Sequence, residues 1–104
     1  MRWAELTALQ RDLIVTVGIV NRDDSRTASG SVVIEELERR FNHQKTRVSC
    51  YTALNELRDA GLLSQTRTDD DGRQKLHELT PESVRIMDSH REVLDDSLNT
   101  VMLA

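Results

Sequence analysis

Hydrophobic residues recur at helical spacing in three consecutive segments of the first half of the chain. The first segment spans residues 8–20, the second ends at Phe41, and the third runs from about residue 45 to a glycine at residue 61. Apolar positions three and four residues apart lie on one side of a helix, and glycine often follows a helix end. The pattern therefore predicts three short helices. Side chains able to cap the first two precede them: Thr7, and either Ser29 or Ser31. The charged residues of the second helix are expected to be solvated: Glu35, Glu36, Glu38, Arg39 and Arg40.

The third predicted helix has two contrasting faces. A helix of this kind is typical either of an ordinary amphipathic surface element or of one that enters a nucleic-acid groove. The residues at three-residue spacing form an apolar face that we assign to the core: Val48, Tyr51, Leu54 and Leu57. The opposite face is small, polar or basic, and we expect it to be exposed: Lys45, Thr46, Arg47, Ser49, Cys50, Thr52 and Ala53.

After residue 61 the pattern changes from helical spacing to loose alternation. Residues 62–68 and 74–79 each alternate, and Asp71 and Gly72 lie between them. An Asp-Gly step between two short strands favours a hairpin, because the turn requires positive φ. The predicted hairpin has basic residues close to its tip: Arg67, Arg73 and Lys75.

The last segment predicts a long helix that begins at Pro81, with Thr80 as its cap. Mostly apolar residues recur along this helix at alternating intervals of three and four residues, and we call this row the seam: Val84, Met87, Arg91, Leu94, Leu98 and Val101. A heptad seam of this length must bury its apolar side chains somewhere, so we predict a dimerisation helix. Trp3 and Leu6, before the first helix, are expected either to staple that helix or to cover a partner subunit.

The order of these elements is helix, helix, helix, hairpin, helix. It predicts a mainly α (α+β) winged helix-turn-helix: three helices, a two-stranded wing and a long C-terminal dimerisation helix. We assign residues 1–80 to a DNA-binding domain and residues 81–104 to the dimerisation helix. In this architecture the third helix enters the major groove, and the wing reaches a phosphate or the minor groove.

The residues also resemble those of one known family. The third helix and its end carry the motif Tyr51-x-x-Leu54-x-x-Leu57-x-x-x-Gly61-Leu62-Leu63. This motif, with residues 77–80 (His-Glu-Leu-Thr), resembles the PadR family of winged-helix transcriptional regulators, and residues 6–13 resemble the first helix of short PadR-like proteins from halophilic archaea. The resemblance implies a cytoplasmic homodimer that represses or tunes transcription, with the first and last helices forming the dimer.

Charge is unevenly distributed along the chain. The net charge is −4, with two lysines against twelve arginines. Residues 1–43 hold six basic and seven acidic side chains, residues 44–75 six and five, and residues 76–104 two and six. The excess acid thus lies in the C-terminal segment, away from the third helix. The lysine-poor, acidic composition favours a salt-loving or GC-rich source.

We assign DNA contacts to two groups of residues. Lys45, Thr46 and Arg47 are expected to contact phosphates or base edges, and Ser49, Thr52 and Ala53 to read the groove. The alternative is an ordinary solvated helix face. In the wing, Arg67, Arg73 and Lys75 are candidates for phosphate contacts, or else they pair with the aspartates at residues 69–71.

Other chemistry is not indicated. Cys50 is the single cysteine, so no disulfide within the chain is expected, and the three histidines show no metal-ligand spacing. We expect no enzyme activity, cofactor or metal site, because no catalytic constellation or glycine-rich phosphate loop occurs. No apolar run is long enough to cross a bilayer and no export signal precedes the first helix, so we expect a cytoplasmic location without membrane contact.

The sequence thus predicts a homodimeric, sequence-specific regulator of transcription that binds double-stranded DNA, acting as a repressor. The alternative is a winged-helix protein-interaction module whose working surface is acidic. Nothing in the sequence demands a small-molecule effector.

Overall fold

The computed structural model describes residues 1–67 and 74–103. It confirms the predicted winged helix-turn-helix architecture. The predicted turn at residues 69–72 and the wing residue Arg73 lie outside the described residues. The elements are a 3-10 turn (Trp3–Glu5), α1 (Ala8–Asn21), α2 (Gly30–Phe41), α3 (Arg47–Asp59), β1 (Leu63–Arg67), β2 (Lys75–Leu79) and α4 (Pro81–Leu103).

Hydroxyl side chains begin the first three helices. The Thr7 hydroxyl accepts a hydrogen bond from the Gln10 backbone N–H at 3.1 Å, and the Gln10 side chain accepts one from the Thr7 N–H at 2.9 Å. Ser29 rather than Ser31 caps α2. Thr46 caps α3, so that helix begins two residues later than the hydrophobic pattern predicts. These caps satisfy backbone donors that have no partner within the helix.

The core lies where α1, α2 and α3 meet above the base of the wing. Aliphatic side chains fill it, as the low aromatic content requires. Burying each such side chain contributes about 1.5–3 kcal/mol, so this cluster is the main source of stability. Its largest fully buried members are Leu13, Ile14, Val17, Val20, Val33, Ile34, Leu37, Leu54, Leu57, Leu62 and Leu63.

The wing is an antiparallel pair anchored to the core at one end. Leu63 pairs with Leu79 at its base, and Arg67 pairs with Lys75 at the far end of the described ladder. Leu63 is buried, whereas Arg67 is exposed. The apolar base therefore fixes the direction in which the basic end projects.

The free edge of β2 is held by the segment before α2 and by the end of α1. Ser29 forms an isolated antiparallel bridge with Leu76, and the His77 N–H donates to the Ala28 carbonyl at 2.9 Å. The Asn21 side-chain amide donates to the His77 carbonyl at 3.0 Å. The wing strand, α1 and the start of α2 thus form one hydrogen-bonded unit.

Glu36 corrects the prediction for α2, whose acidic and basic residues were all expected to be solvated. Its side chain is only 2% exposed. It accepts hydrogen bonds from Arg39 Nη2 at 2.6 Å and Arg26 Nη1 at 2.7 Å, and Arg40 Nε lies 3.6 Å away. Arg26 reaches Glu36 from the loop between α1 and α2, a contact that helical spacing does not reveal.

Leu6 corrects the predicted dimer surface. It belongs to the core of its own chain, because the 3-10 turn before α1 folds it inward, so its assignment to a partner interface is wrong. Trp3 is half-buried against the same core, and its ring centroid lies 6.0 Å from that of His90 on α4. The N-terminal turn therefore packs on the first half of α4.

Only the first part of α4 contacts the core. Ser83 and Ile86 are buried and Met87 is partly buried, whereas every side chain from Arg91 to Met102 is exposed. Arg91, a predicted interface residue, forms an ion pair with Asp88 of its own helix. The second part of the helix thus projects away from the domain with its apolar residues uncovered.

Candidate nucleic-acid interface

The exposed face of α3 differs from the one expected. Cys50, Ala53, Leu54 and Leu57 are the buried side chains of this helix. Val48 and Tyr51, which the spacing assigned to the core, are exposed. Nine residues of α-helix correspond to about two and a half turns. Val48 and Leu57 therefore lie on opposite sides, and steps of three residues do not define one face.

The residues of the exposed face all lie on one side of the helix. Val48, Tyr51, Thr52 and Asn55 are all exposed. Asn55 was missed from the sequence. Its position, seven residues after Val48, would have revealed it, because seven residues return almost to the same side of a helix.

The predicted basic start of α3 is accessible. Lys45 precedes the helix and Arg47 opens it, and both are exposed. Thr46 serves as the cap: its hydroxyl accepts from the Ser49 N–H at 3.1 Å and donates to the Ser49 hydroxyl at 3.0 Å. The two cations thus flank a rigid first turn, where they can meet an anionic backbone.

Two small residues predicted on the exposed face are buried instead. Ala53 is 5% exposed, so its assignment to groove reading is wrong. Cys50 also lies in the core. Burial raises the pKa of the Cys50 thiol, and the Glu38 carboxylate raises it further. The thiol therefore stays protonated and enclosed rather than reactive.

Side-chain hydrogen bonds join α3 to the wing. Gln65 on β1 donates to Asn55 Oδ1 at 3.3 Å and accepts from Arg58 Nη1 at 3.1 Å. Arg58 also pairs with Asp59 at 2.9 Å. This chain of contacts fixes the Asn55 side chain relative to the first wing strand.

A groove of about 570 Å³ opens between the start of α2, the exposed side of α3 and the wing. Ser31, Tyr51, Asn55, Gln65 and Lys75 are among the residues that line it. All five carry hydrogen-bonding groups, and Lys75 adds a positive charge. The groove therefore connects the exposed helix face with the basic wing in one polar surface.

His77 lies behind this groove. It is buried, and its Nδ1 has no hydrogen-bond partner among the described residues. Burial lowers the pKa of His77, and the charge of Lys75 lowers it further. The imidazole is therefore neutral at neutral pH and adds no positive charge beside Lys75.

A second, more apolar groove of about 590 Å³ lies between the N-terminal turn and α4. Trp3, Ile86, His90 and Val93 contribute to its walls. Further along α4 the seam predicted for dimerisation is solvent-exposed at Leu94, Leu98 and Val101. Together these residues form an apolar surface away from α3.

Residues 1–67 and 74–103 offer neither a metal site nor a membrane span. No cluster of three or more His, Cys, Asp or Glu side chains within these ranges could hold a metal ion. None of the described helices combines the length and apolar character needed to cross a membrane.

Comparison with known proteins identifies the domain type. The model of the family described as winged helix DNA-binding domain matches residues 6–83. No curated protein sequence matches the chain.

Solved structures of regulators share the fold. RosR of H. salinarum superposes with a TM-score of 0.69 at 22% identity, over 88% of this chain and 77% of that one. The MepR–DNA complex of S. aureus gives 0.67 at 16% identity, over 95% and 73%. BpsR of Bordetella bronchiseptica, whose DNA binding is regulated by 6-hydroxynicotinic acid, gives 0.64 at 16%, over 96% and 67%. At these identities the likeness establishes the fold alone.

Proposed function

Because the chain belongs to the winged helix DNA-binding domain family, we propose that it is a homodimeric, sequence-specific regulator of transcription that represses its targets. The observation that carries this proposal is the exposed face of α3. It begins with Lys45 and Arg47 and continues through a polar groove to Lys75 in the wing. An α-helix with a cationic start fits the width and charge of a major groove.

In this proposal α3 enters the major groove and the wing contacts the DNA backbone. Lys45 and Arg47 neutralise phosphates beside the first turn of α3. Thr46 and Ser49 lie at the cap, where backbone N–H groups and hydroxyls also suit a phosphate. Thr52, on the exposed side, meets base edges. Arg67, Arg73 and Lys75 contact phosphates from the wing.

The dimer forms through α4 in this proposal, with residues 1–80 as the DNA-binding domain and residues 81–104 as the dimerisation helix. Its seam is exposed at Val84, Leu94, Leu98 and Val101. Trp3, Met87 and Arg91 lie beside or within the same surface. A two-fold dimer of this type presents two reading helices to half-sites about one helical turn apart.

Three finer assignments complete the proposal. The motif from Tyr51 to Leu63 and the strand end at residues 77–80 support a PadR-like regulator. The surplus of arginine over lysine with excess acid supports a source among halophilic archaea. A regulator of this kind acts in the cytoplasm, where its DNA is.

A second function is favoured by one observation. The exposed part of α4 belongs to a segment with two basic and six acidic residues. A winged helix that dimerises through this helix and docks a basic protein partner would use the acidic surface instead of α3. Such a protein-interaction module has no affinity for duplex DNA.

Titration of the purified protein against duplex DNA separates the two functions. Random-sequence duplex and duplex from the protein's own promoter are compared at low and high salt, with the mass of the complex measured by light scattering. Saturable, promoter-preferring binding by a dimer, weakening steeply with salt, is the expected result. A dimer without duplex affinity at any salt concentration would reject the regulator and favour the interaction module.

A further inference from the structure

Val48 is an apolar side chain in an unexpected position. It lies in the first turn of α3 and is 75% exposed. Among the large hydrophobic side chains that the structure describes, only Met102 near the end of α4 is more exposed, at 81%. The residues that stabilise α3 lie on the opposite side of the helix, so Val48 adds nothing to the core.

The surroundings of Val48 narrow the chemistry that it can recognise. Thr52, which also carries a methyl group, lies one turn further along the same exposed side. Lys45 and Arg47 are exposed just before Val48 in the chain, so positive charge lies at its N-terminal side. A small methyl surface next to cations is complementary to a polyanion that presents a methyl group of its own.

Double-stranded DNA has one such group. In the major groove only thymine presents a methyl group, at C5, next to the phosphate backbones on either side. Residues near the start of a recognition helix approach base edges most closely. A C·G pair at the same place would instead put the cytosine N4 amino group against the valine. The amino group would lose its hydrogen bond to water and find no acceptor on the protein, so binding would be weaker.

We propose that Val48, supported by the Thr52 methyl group, packs against the C5 methyl group of a thymine in each half-site of the operator. Val48 is then a specificity-determining residue. This inference rests on the proposed function, since it requires α3 to lie in the major groove. It makes the base preference at one position depend on apolar contact rather than on hydrogen bonding.

Removing the thymine methyl group tests the contact directly. A bound duplex is first selected from a random-sequence pool, and each thymine is then replaced singly by deoxyuridine, which lacks only the C5 methyl group. At one position of each half-site we expect the Kd to rise about fourfold, the effect of exposing one buried methyl group. The Val48→Ala protein should lose most of this preference for thymine over deoxyuridine at that position.

Thr27→Ala is the matched control. Thr27 is exposed in the loop between α1 and α2 and is branched at its β-carbon like valine, so the substitution removes the same number of heavy atoms outside α3. This variant should keep the sensitivity to deoxyuridine, and circular dichroism should show both alanine variants folded, because neither side chain belongs to the core.

The outcomes separate this inference from the function on which it rests. Tight, salt-dependent binding that no deoxyuridine substitution weakens would overturn the thymine contact and leave DNA binding intact. Deoxyuridine sensitivity that persists in Val48→Ala would assign the contact to another residue and also overturn it. Failure of the wild-type protein to bind any duplex would reject the proposed function and this inference together.

Discussion

The aromatic ring of Tyr51 lies against the backbone of Gly30, so closely that a β-carbon added at residue 30 would be 2.4 Å from Tyr51 Cε1. The same added atom would be 3.0 Å from the Tyr51 hydroxyl oxygen. Gly30 opens α2 and Tyr51 lies on the exposed side of α3. A residue without a β-carbon at position 30 leaves room for the Tyr51 ring, and the contact sets how Tyr51 is presented beside the polar groove.

Gly30→Ala should therefore displace the Tyr51 ring and disturb the helix-turn-helix. Because the clashing atoms end a partly exposed side chain that can move, the cost should be at most about 1 kcal/mol, the low end for overpacking, and we expect weaker DNA binding as well. Urea denaturation and duplex titration measure the two effects. In a Tyr51→Ala background the substitution at residue 30 should cost much less, because the clashing ring is absent.

Gly61→Ala serves as the comparison for Gly30→Ala. Gly61 has φ of +78°, and an added β-carbon would meet no atom within 4 Å. Alanine there should cost about 1 kcal/mol through backbone strain, independently of Tyr51. An equal cost of Gly30→Ala with and without the Tyr51 ring would show that the ring contact does not control the spacing of α2 and α3.

Local signals in the sequence predicted the order of elements. The hydroxyl caps, Pro81 and the change to alternation after Gly61 act within a few residues, and they located the helices and the two wing strands. The prediction of the buried face of α3 was wrong, because residues spaced by three drift around a helix that has 3.6 residues per turn. A helical projection would have put Val48 on the side opposite Leu57.

The remaining errors involve partners distant in sequence or a turn that the pattern did not predict. Glu36 is buried because Arg26 folds back from a loop ten residues earlier. Leu6 enters the core because a 3-10 turn precedes α1. Apolar residues just before a helix do not reveal by themselves whether their own core or a partner subunit covers them.

The corrected face of α3 predicts opposite outcomes for two adjacent residues. Ala53→Val should destabilise the protein by about 1–3 kcal/mol, because the added carbons enter a packed core. Thr52→Val should change the free energy of unfolding by less than about 0.5 kcal/mol, since Thr52 is exposed. Replacing alanine by valine also loses up to about 0.7 kcal/mol of helix propensity, whereas replacing threonine by valine loses almost none, so the cost at residue 53 should exceed that at residue 52 by more than this amount. Similar costs in urea denaturation would contradict the assignment of the two residues to different faces.

Glu36 predicts a dependence of stability on pH. Hydrogen bonds from Arg39 and Arg26 lower the pKa of Glu36 from 4.5 to about 2. A carboxyl whose pKa is lower in the folded state stabilises the fold above its unfolded pKa, here 4.5, and this contribution is lost as the pH falls towards 2. Glu36→Gln should therefore be clearly less stable than wild type at pH 7, with the difference shrinking below pH 4.5.

The neighbouring carboxylate supplies the control for Glu36. Glu35 is exposed on the same helix, and Glu35→Gln should change stability little at either pH. Thermal or urea denaturation at pH 7 and at pH 3 measures all three proteins. A gap between wild type and Glu36→Gln that stays constant with pH would mean that the arginine pairs do not account for the stabilising effect of Glu36.

Arg47 should act on DNA through its charge. Arg47→Ala removes one cation from the start of α3 without touching the core, so binding should weaken on all duplex sequences at low salt. The slope of log K against log salt should become shallower by about 0.9 for each phosphate that the protein no longer neutralises. Arg22→Ala, an exposed arginine at the end of α1, is the control and should leave the slope unchanged. An unaltered slope for Arg47→Ala would remove Arg47 from the interface.

Leu98 tests whether α4 forms the dimer. It is 57% exposed on the predicted seam, in the part of α4 that does not pack against the core of its own domain. Leu98→Glu would place an unpaired charge in each half of an apolar interface, which costs several kcal/mol, so the dimer Kd should rise at least about a hundredfold.

The fold of residues 1–80 should be unaffected by Leu98→Glu. Light scattering should then give half the wild-type mass, and binding to a two-half-site duplex should weaken strongly, because each subunit must bind its half-site independently.

The adjacent Asn99 provides the matched charge. Asn99 is exposed next to Leu98 but points away from the seam, so Asn99→Glu adds the same carboxylate to the same turn of helix. It should leave the protein dimeric, which would show that position on the seam matters rather than added acid on an already acidic helix. A Leu98→Glu protein that remains dimeric would mean that another surface joins the subunits. The apolar groove beside Trp3 and Val93 would then be the surface to substitute next.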